Sequence, residues 1–455
     1  MKNMTLREIN TACKGEYHGD EQSLDREVSS VVIDSRLVQK DSLFVAIRGE
    51  RVDGHSFIPG TIKDGALCAL SEEKLEGADF PYILVSSCKE ALIDLAEHYR
   101  KALKVKAIGI TGSVGKTSTK EMMASVFSQK YSVQKTPGNF NNEIGLPLTI
   151  FSIGEEHEVA VLEMGISYFG DMDVLSRMAR PDICVLTNIG TAHIEHLKSR
   201  DGILKEKSQI FNSMNPKGSI FLNGDDDKLI TIPPYKGIAP TYYGLNPEWP
   251  FYATNIINKG LRGTTATYHT PRSTFTAHIH VPGTFMVYNA LAATAVAYSL
   301  EMTDEEIIKG IEALTPIAGR SNIIETGKYT LIDDCYNAGP ATMKSAIELL
   351  EQAETRKVAI LGDMFELGPE EEKLHYEVGL FAGDKNIDQI ICIGTLSEHI
   401  VEGCKSRGFE NILHFPTKIK FFEQINKLLS PNDTILLKAS NGMAFSEIVA
   451  IIKER

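Results

Sequence analysis

The chain has no apolar run long enough to cross a bilayer, which excludes a helical membrane span and predicts no membrane insertion. Its opening stretch, MKNMTLREINTACKGEY, lacks the apolar core of a secretory signal, so a cytoplasmic location is expected. Cysteine is sparse: the seven residues, at 13, 68, 88, 184, 335, 392 and 404, form no CxxC pair. That scatter argues against a disulfide framework or a zinc site and fits reduced thiols. Basic charge is in deficit. A formal net charge of −13 argues against nucleic acid or an anionic membrane as the main partner. It leaves room for a local basic pocket that takes a phosphorylated ligand. Internal repeats and low-complexity tracts are missing as well.

What is present is ordinary soluble-protein composition, 43% hydrophobic and 24% charged, over 455 residues. That length exceeds one core and suggests about two to four domains. The pattern predicts an α/β fold in three domains. Residues 1–104 mix short strands (Val31–Ile33, Leu43–Ile47, Tyr82–Val85) with a helix from Lys89 to Lys101. Residues 105–315 alternate apolar strands (Ala107–Ile110, Val159–Leu162, Ile183–Leu186, Ser219–Leu222) with helical patterns, as in a parallel sheet covered by helices. Between Tyr235 and Val281 the Thr- and Tyr-rich alternation predicts an antiparallel β patch. Thr303 and Glu306 form a capping box for a helix running to about Leu314. Pro316 and Gly319 mark a linker. Residues 316–455 resume the alternation and read as a separate Rossmann-like α/β domain.

The most informative stretch is KAIGITGSVGKTSTK, Lys106 to Lys120. A short apolar strand leads into Gly112-Ser113-Val114-Gly115, then Lys116-Thr117-Ser118 opens a helix. This is the layout of a phosphate-binding loop. Glycines let backbone N–H groups converge, and the helix N-terminus adds partial positive charge. Lys116 can reach the β/γ-phosphates of ATP and the Thr117 hydroxyl can ligate Mg²⁺. The plainer alternative, a tight turn with a surface lysine, sits poorly with Gly-Lys-Thr at a strand-to-helix junction. The usual spacing places glycine at position 110, where this chain has Ile110.

Other candidates stand at strand ends, the ligand side of an open sheet. Glu163 follows Val159–Leu162 and reads equally as a Mg²⁺ ligand or a helix-capping acid. His193, in LTNIGTAHIEHL, reads as a metal ligand, a phosphate contact or a structural histidine. Lys205 and Lys207 lie on one helix, where an exposed charged face is the simpler reading. In the last domain, Asp333 and Asp334, Asp363, and Lys438 with Ser440 and Asn441 all follow strands. Polar residues along one edge suggest a cleft between two domains. The residues alone therefore point to an enzyme using ATP and Mg²⁺ whose last domain closes over the nucleotide.

With these motifs the chain resembles the Mur ligases, ATP-dependent amide-forming enzymes of peptidoglycan precursor synthesis. ITGSVGKTSTK resembles their nucleotide loop. NFNNEIGLPLTI resembles the stretch that brings Asn141, Asn142 and Glu143 to the substrate. The resemblance implies roles for further positions. Glu163 would be the Mg²⁺-binding acid and His193 the second metal-associated residue. Lys207 would be a carbamylated lysine that helps hold a second Mg²⁺. Asn289, Arg320, Asp334, Tyr336 and Asn337 would contact the nucleotide. IDSR, with Ser35 and Arg36, followed by LFVAIRGERVDGHSFI, resembles the family's UDP-sugar-binding domain. LGDMFELG with His375 and Gly379, and DDCYNAGPATM, resemble the branch that adds D-alanyl-D-alanine to UDP-N-acetylmuramoyl-tripeptide through an acyl phosphate. A monomer is expected. The chain departs from family patterns at Gln209, Phe285, Gly339, Ala439 and Asn441. Two alternatives stay open: a related ligase with another acceptor or a folate-like substrate, and a nucleotide-dependent switch.

Overall fold

The computed structural model describes residues 4–49 and 52–454. Glu50 and Arg51 of the RGERVDG stretch lie outside the described residues. Among those described, the strands form three sheets. The first orders Glu16–His18, Tyr82–Leu84, Cys68–Ser71, Ser42–Val45 and Ser30–Val32. All its pairings are parallel except that of Glu16–His18. The second has nine strands, and Lys106–Thr111 lies inside it between Ile183–Leu186 and Val159–Glu163. The third has six, running from Asn322–Glu325 to Ile412–Phe415. It too is parallel except at its first pair.

The expected antiparallel patch starts later than the sequence suggests. Thr241–Gly244 and Phe251–Asn258 extend the parallel order. In this sheet Thr264–His269 alone is reversed among the described residues, pairing antiparallel with Phe251–Asn258 on one side and Thr274–Ile279 on the other. Thr/Tyr alternation reports a half-buried strand, whichever way its neighbour runs. The strands Cys68–Ser71, Val133–Lys135 and Ile412–Phe415 were not anticipated. Each is only three or four residues long, too short for a clear period.

Placement of the phosphate loop follows from this topology. From Lys106–Thr111 the chain crosses to the sheet edge, returns beside that strand as Val159–Glu163, then emerges on its other side as Ile183–Leu186. Connections diverging left and right leave a crevice at the strands' carboxyl ends. The helix after the loop, Lys116–Phe127, buries Met122, Met123, Val126 and Phe127 completely. Each such side chain contributes roughly 1.5–3 kcal/mol. Its partner, Met286–Ser299, is alanine-rich and buried almost all round, so two helices and the sheet approach closely.

A third helix, Asp304–Glu312, begins at the anticipated Thr303–Glu306 capping box. It crosses the loop helix at Gly310, where a Cβ would come within 2.3 Å of Val126 Cα. Ser125 Oγ donates to the Gly310 carbonyl at 2.6 Å. Gly310→Ala is therefore expected to destabilise the protein by about 1–3 kcal/mol, the range for overpacking. This runs against the roughly 1 kcal/mol that helix propensity alone would add. Denaturant unfolding of the variant beside the parent decides; a more stable variant would refute this packing account.

Candidate active site

Gly112 and Gly115 shape the loop. Gly112 has φ +156° and a Cβ there would fall 1.9 Å from Thr187 Oγ1. Gly115, at φ +85°, caps the loop helix in the left-handed region that favours glycine. Residues of the next strand's exit clamp the loop between them. Val114 N donates to Asn188 Oδ1 at 2.9 Å, and Thr187 Oγ1 donates to the Val114 carbonyl at 2.7 Å. Gly190 N donates to Ser113 Oγ at 2.9 Å. Ile110 needs no glycine conformation. It is a fully buried strand residue paired with Glu163, and the tight turn begins two residues later.

Lys116 Nζ folds back to donate to the Gly112 carbonyl at 2.8 Å. Burial pushes its ammonium pKa down. Opposite it stands Glu163, only 2% exposed. One carboxylate oxygen, Oε1, accepts from Asn141 Nδ2 at 2.8 Å and Thr117 Oγ1 at 3.2 Å. The other, Oε2, is buried with no hydrogen-bond donor. Glu163 N donates to Thr136 Oγ1 at 2.9 Å, which fixes the strand end. Among the described residues no three His, Cys, Asp or Glu side chains gather to hold a metal by themselves. An orphaned carboxylate oxygen beside a threonine hydroxyl, above a phosphate loop, suits Mg²⁺. That ion takes one or two protein oxygens and completes its shell with phosphate and water.

Lys207 lies on the helix Arg200–Ser208 and is 1% exposed. Lys205, two residues before it, is exposed, so the simple charged-face reading holds for Lys205 alone. Burial, reinforced by the Lys116 charge, drives the Lys207 ammonium well below its ordinary pKa, against the opposing pull of Glu206. Glu206 is otherwise engaged. It accepts from Gly170 N at 3.0 Å, Met172 N at 2.9 Å and Gln209 Nε2 at 2.7 Å. Gln209 thus donates where a second carboxylate would repel.

The third sheet's domain reaches into this crevice. Arg320 Nη2 lies 3.5 Å from Thr117 Oγ1, and its guanidinium packs 4.0 Å from the Tyr336 ring centroid. Arg320 Nε is a buried donor with no acceptor. Behind it Lys438 Nζ donates to Asp334 Oδ2 at 2.5 Å and to the Asn337 carbonyl at 3.1 Å. Asn441 Nδ2 donates to the Tyr336 carbonyl at 3.1 Å. His193 Nδ1 sits 3.0 Å from Glu366 Oε2, out of hydrogen-bond line. Both residues take left-handed backbone conformations, φ +60° and +62°. His375 and Ser440 anchor the Glu366 loop by accepting from Met364 N and Phe365 N, each at 2.8 Å.

The candidates separate accordingly. Glu163, Thr117, Asn141, Lys116, Arg320 and Tyr336 converge, and Asn289 is fastened to the loop helix by accepting from Thr119 Oγ1 at 3.0 Å. Asn142 instead caps the next helix through Gly145 N at 2.9 Å. Glu143 pairs with Lys89 at 3.1 Å, and Arg36 with Asp34 at 2.6 Å. Asp363 accepts from Thr395 N and Ser397 N, a structural role. Lys120, Asn188 and Glu366 were not anticipated. Only Lys120, one helical turn beyond Lys116, carried a readable signal.

Three family descriptions match in chain order. They are Mur ligase family, catalytic domain, over 27–100; Mur ligase middle domain over 110–297; and Mur ligase, glutamate ligase domain, over 319–441. The UDP-N-acetylmuramoyl-tripeptide--D-alanyl-D-alanine ligase of Bacillus subtilis is 37% identical, over 93% of this chain and 92% of the relative. The chain belongs to the Mur ligase family. The Escherichia coli ligase of the same name is 31% identical, over 100% of this chain and 99% of its own length. Two solved structures are similar, each at 29% identity. MurF from Acinetobacter baumannii has a TM-score of 0.90 and 99% coverage of both chains. The MurF ligase from Thermotoga maritima in complex with ADP has a TM-score of 0.82, covering 93% of this chain and 97% of its own. Their similarity bears out the three-domain α/β expectation.

Lys207 gives this Mur ligase a pH signature. Its folded-state pKa is depressed below 10.5, so between the two values the unfolded chain binds more protons, and stability rises with pH. In CO₂-depleted buffer without ligands, Lys207→Met should be more stable than the parent near neutral pH, and the gain should shrink as pH approaches 10.5. Melting curves across pH test this; a pH-independent difference would contradict it.

Proposed function

We propose that this chain is an ATP-dependent ligase. It joins D-alanyl-D-alanine to UDP-N-acetylmuramoyl-tripeptide and yields ADP and inorganic phosphate. The observation carrying the chemistry is Glu163, held through one oxygen by Thr117 and Asn141 and open at the other, above the loop. Chain-long similarity to ligases bearing that name supports the substrates.

On this reading residues 1–104 hold the UDP-sugar end through Ser35 and Arg36, 105–315 hold ATP, and 316–455 close over it and admit the dipeptide. The loop N–H groups from Gly112 to Ser118 and the Lys116 ammonium cradle the phosphates. Arg320, with its unsatisfied Nε, adds a donor from the closing domain, and Asn289, Asp334, Tyr336 and Asn337 frame the nucleoside. The tripeptide's terminal carboxylate attacks the γ-phosphorus; an O–P bond forms, and the bond to the ADP oxygen breaks. The neutral amine of D-alanyl-D-alanine then attacks the acyl carbon; a C–N bond forms, the acyl C–O bond breaks, and inorganic phosphate leaves with the proton shed by the nitrogen. Lys116, Arg320 and the loop N–H groups stabilise the charge spread over the transferring phosphoryl. Domain closure keeps water from the acyl phosphate. Thr117 and Glu163 would hold one Mg²⁺, and His193 with a carbamylated Lys207 a second; bound there, Mg²⁺ would supply further charge neutralisation.

Burial supports the modified lysine. Carbamylation needs a neutral amine, which adds to CO₂ and releases one proton. The site disfavours the Lys207 ammonium through desolvation and the Lys116 charge, and the latter would favour a carbamate anion.

Two measurements test these proposals. Phosphate release should require UDP-N-acetylmuramoyl-tripeptide, ATP, Mg²⁺ and D-alanyl-D-alanine together; release indifferent to the dipeptide would favour a nucleotide switch. With ¹³CO₂, the parent should show a carbamate carbon signal that Lys207→Ala lacks, and the variant should be nearly inactive. Full activity in Lys207→Ala would remove the carbamate from the account.

A further inference from the structure

Among the described residues Lys120 is the one buried lysine near the loop without a place in the reading above. It is 1% exposed, although it sits on the helix that carries the loop. Its Nζ donates to the Thr136 carbonyl at 2.8 Å and lies 3.4 Å from the Gly138 carbonyl. The same nitrogen is 3.7 Å from Glu163 Oε2, the carboxylate oxygen with no hydrogen-bond donor, and 3.2 Å from Glu121 Oε1. Thr136 in turn touches Glu163, its Oγ1 accepting from the Glu163 N–H. The 136–141 segment ends in Asn141, which holds the other oxygen. One ammonium therefore faces the open side of Glu163 and fastens the segment that grips its closed side.

We propose that Lys120 is a positioning residue that sets how tightly Glu163 takes Mg²⁺. The inference rests on the reading of Glu163 as the metal-facing acid. Before the metal arrives, a carboxylate 2% exposed needs a counter-charge, because an unpaired buried charge is costly. Lys120 supplies that charge from 3.7 Å, too far for a hydrogen bond, so Oε2 stays free for a cation. Once a divalent cation is bound, the same ammonium repels it. The metal-free site is thereby stabilised and the metal-bound site loosened, which favours release of the metal with product nucleotide. A lysine serving only to fasten the 136–138 carbonyls would have no bearing on metal affinity.

Lys120→Met removes the charge and keeps most of the side-chain bulk. The readout is thermal melting with saturating ADP, titrated with MgCl₂, together with the melting temperature in EDTA. Lys120→Met should melt lower than the parent in EDTA and reach half of its Mg²⁺-dependent rise at a three- to tenfold lower Mg²⁺ concentration. Lys120→Arg, which retains the charge, should stay within twofold of the parent. If Lys120→Met does not fold, Lys120→Gln replaces it; its amide can still donate to Thr136 and the same shift is expected. A neutral variant that melts lower with an unchanged or higher Mg²⁺ midpoint would overturn the proposal. A parent with no Mg²⁺-dependent rise that Glu163→Gln abolishes would instead refute Glu163 as the metal-facing acid.

Discussion

The site depends on an imbalance of buried charge. At the carboxyl end of Lys106–Thr111, the cations Lys116, Lys120 and Arg320 gather around the buried acid Glu163, and Lys207, beside buried Glu206, adds a fourth cation that feels the Lys116 charge. The chain as a whole carries −13, so this concentration is local. Charges in a poorly solvated crevice are expensive unless something of opposite sign arrives. The loop and its helix N-terminus are arranged for such an arrival. Burial first, and then neighbouring cations, depress the ammonium pKa values of Lys116 and Lys207.

Glu163 can serve because its two oxygens have been given different surroundings. Asn141 and Thr117 engage one oxygen; the other faces Lys120 from beyond hydrogen-bond distance. Those residues arrive on separate elements held by tight packing. Gly310 lets one helix press on the loop helix, and Gly112 lets the loop press on Thr187. Across the crevice, His193 and Glu366 meet in left-handed backbone conformations. Such strain persists only where surrounding structure enforces it. At Glu366, His375 and Ser440 do so by accepting from Met364 N and Phe365 N.

Much of this was legible in the sequence because it follows from local rules. Strand–glycine–Lys-Thr–helix is a short-range pattern, and Thr303 with Glu306 announces a helix start. Carboxylates after apolar runs mark a sheet's ligand edge. What stayed hidden is what tertiary contact decides. Nothing local distinguishes Lys207 from exposed Lys205, since both lie on a charged helix. Lys120 shares a helix face with Lys116, which the spacing shows, but its burial is decided only when the Thr136–Gly138 turn folds over it. Asn142 and Glu143 sit in the same motif as Asn141, yet one caps a helix and the other pairs with Lys89. Strand direction near Thr241–Gly244 was equally invisible, because alternation records burial and not the orientation of the neighbour.

These cations are arranged for a nucleotide's phosphates. A crystal structure with Mg²⁺ and a non-hydrolysable ATP analogue tests it most directly. The phosphates should lie on the Gly112–Ser118 N–H groups, with Lys116 Nζ moved from the Gly112 carbonyl to a phosphate oxygen and Glu163 Oε2 on the metal side. Phosphates bound elsewhere, with Lys116 still on Gly112 and Glu163 remote from the metal, would contradict it.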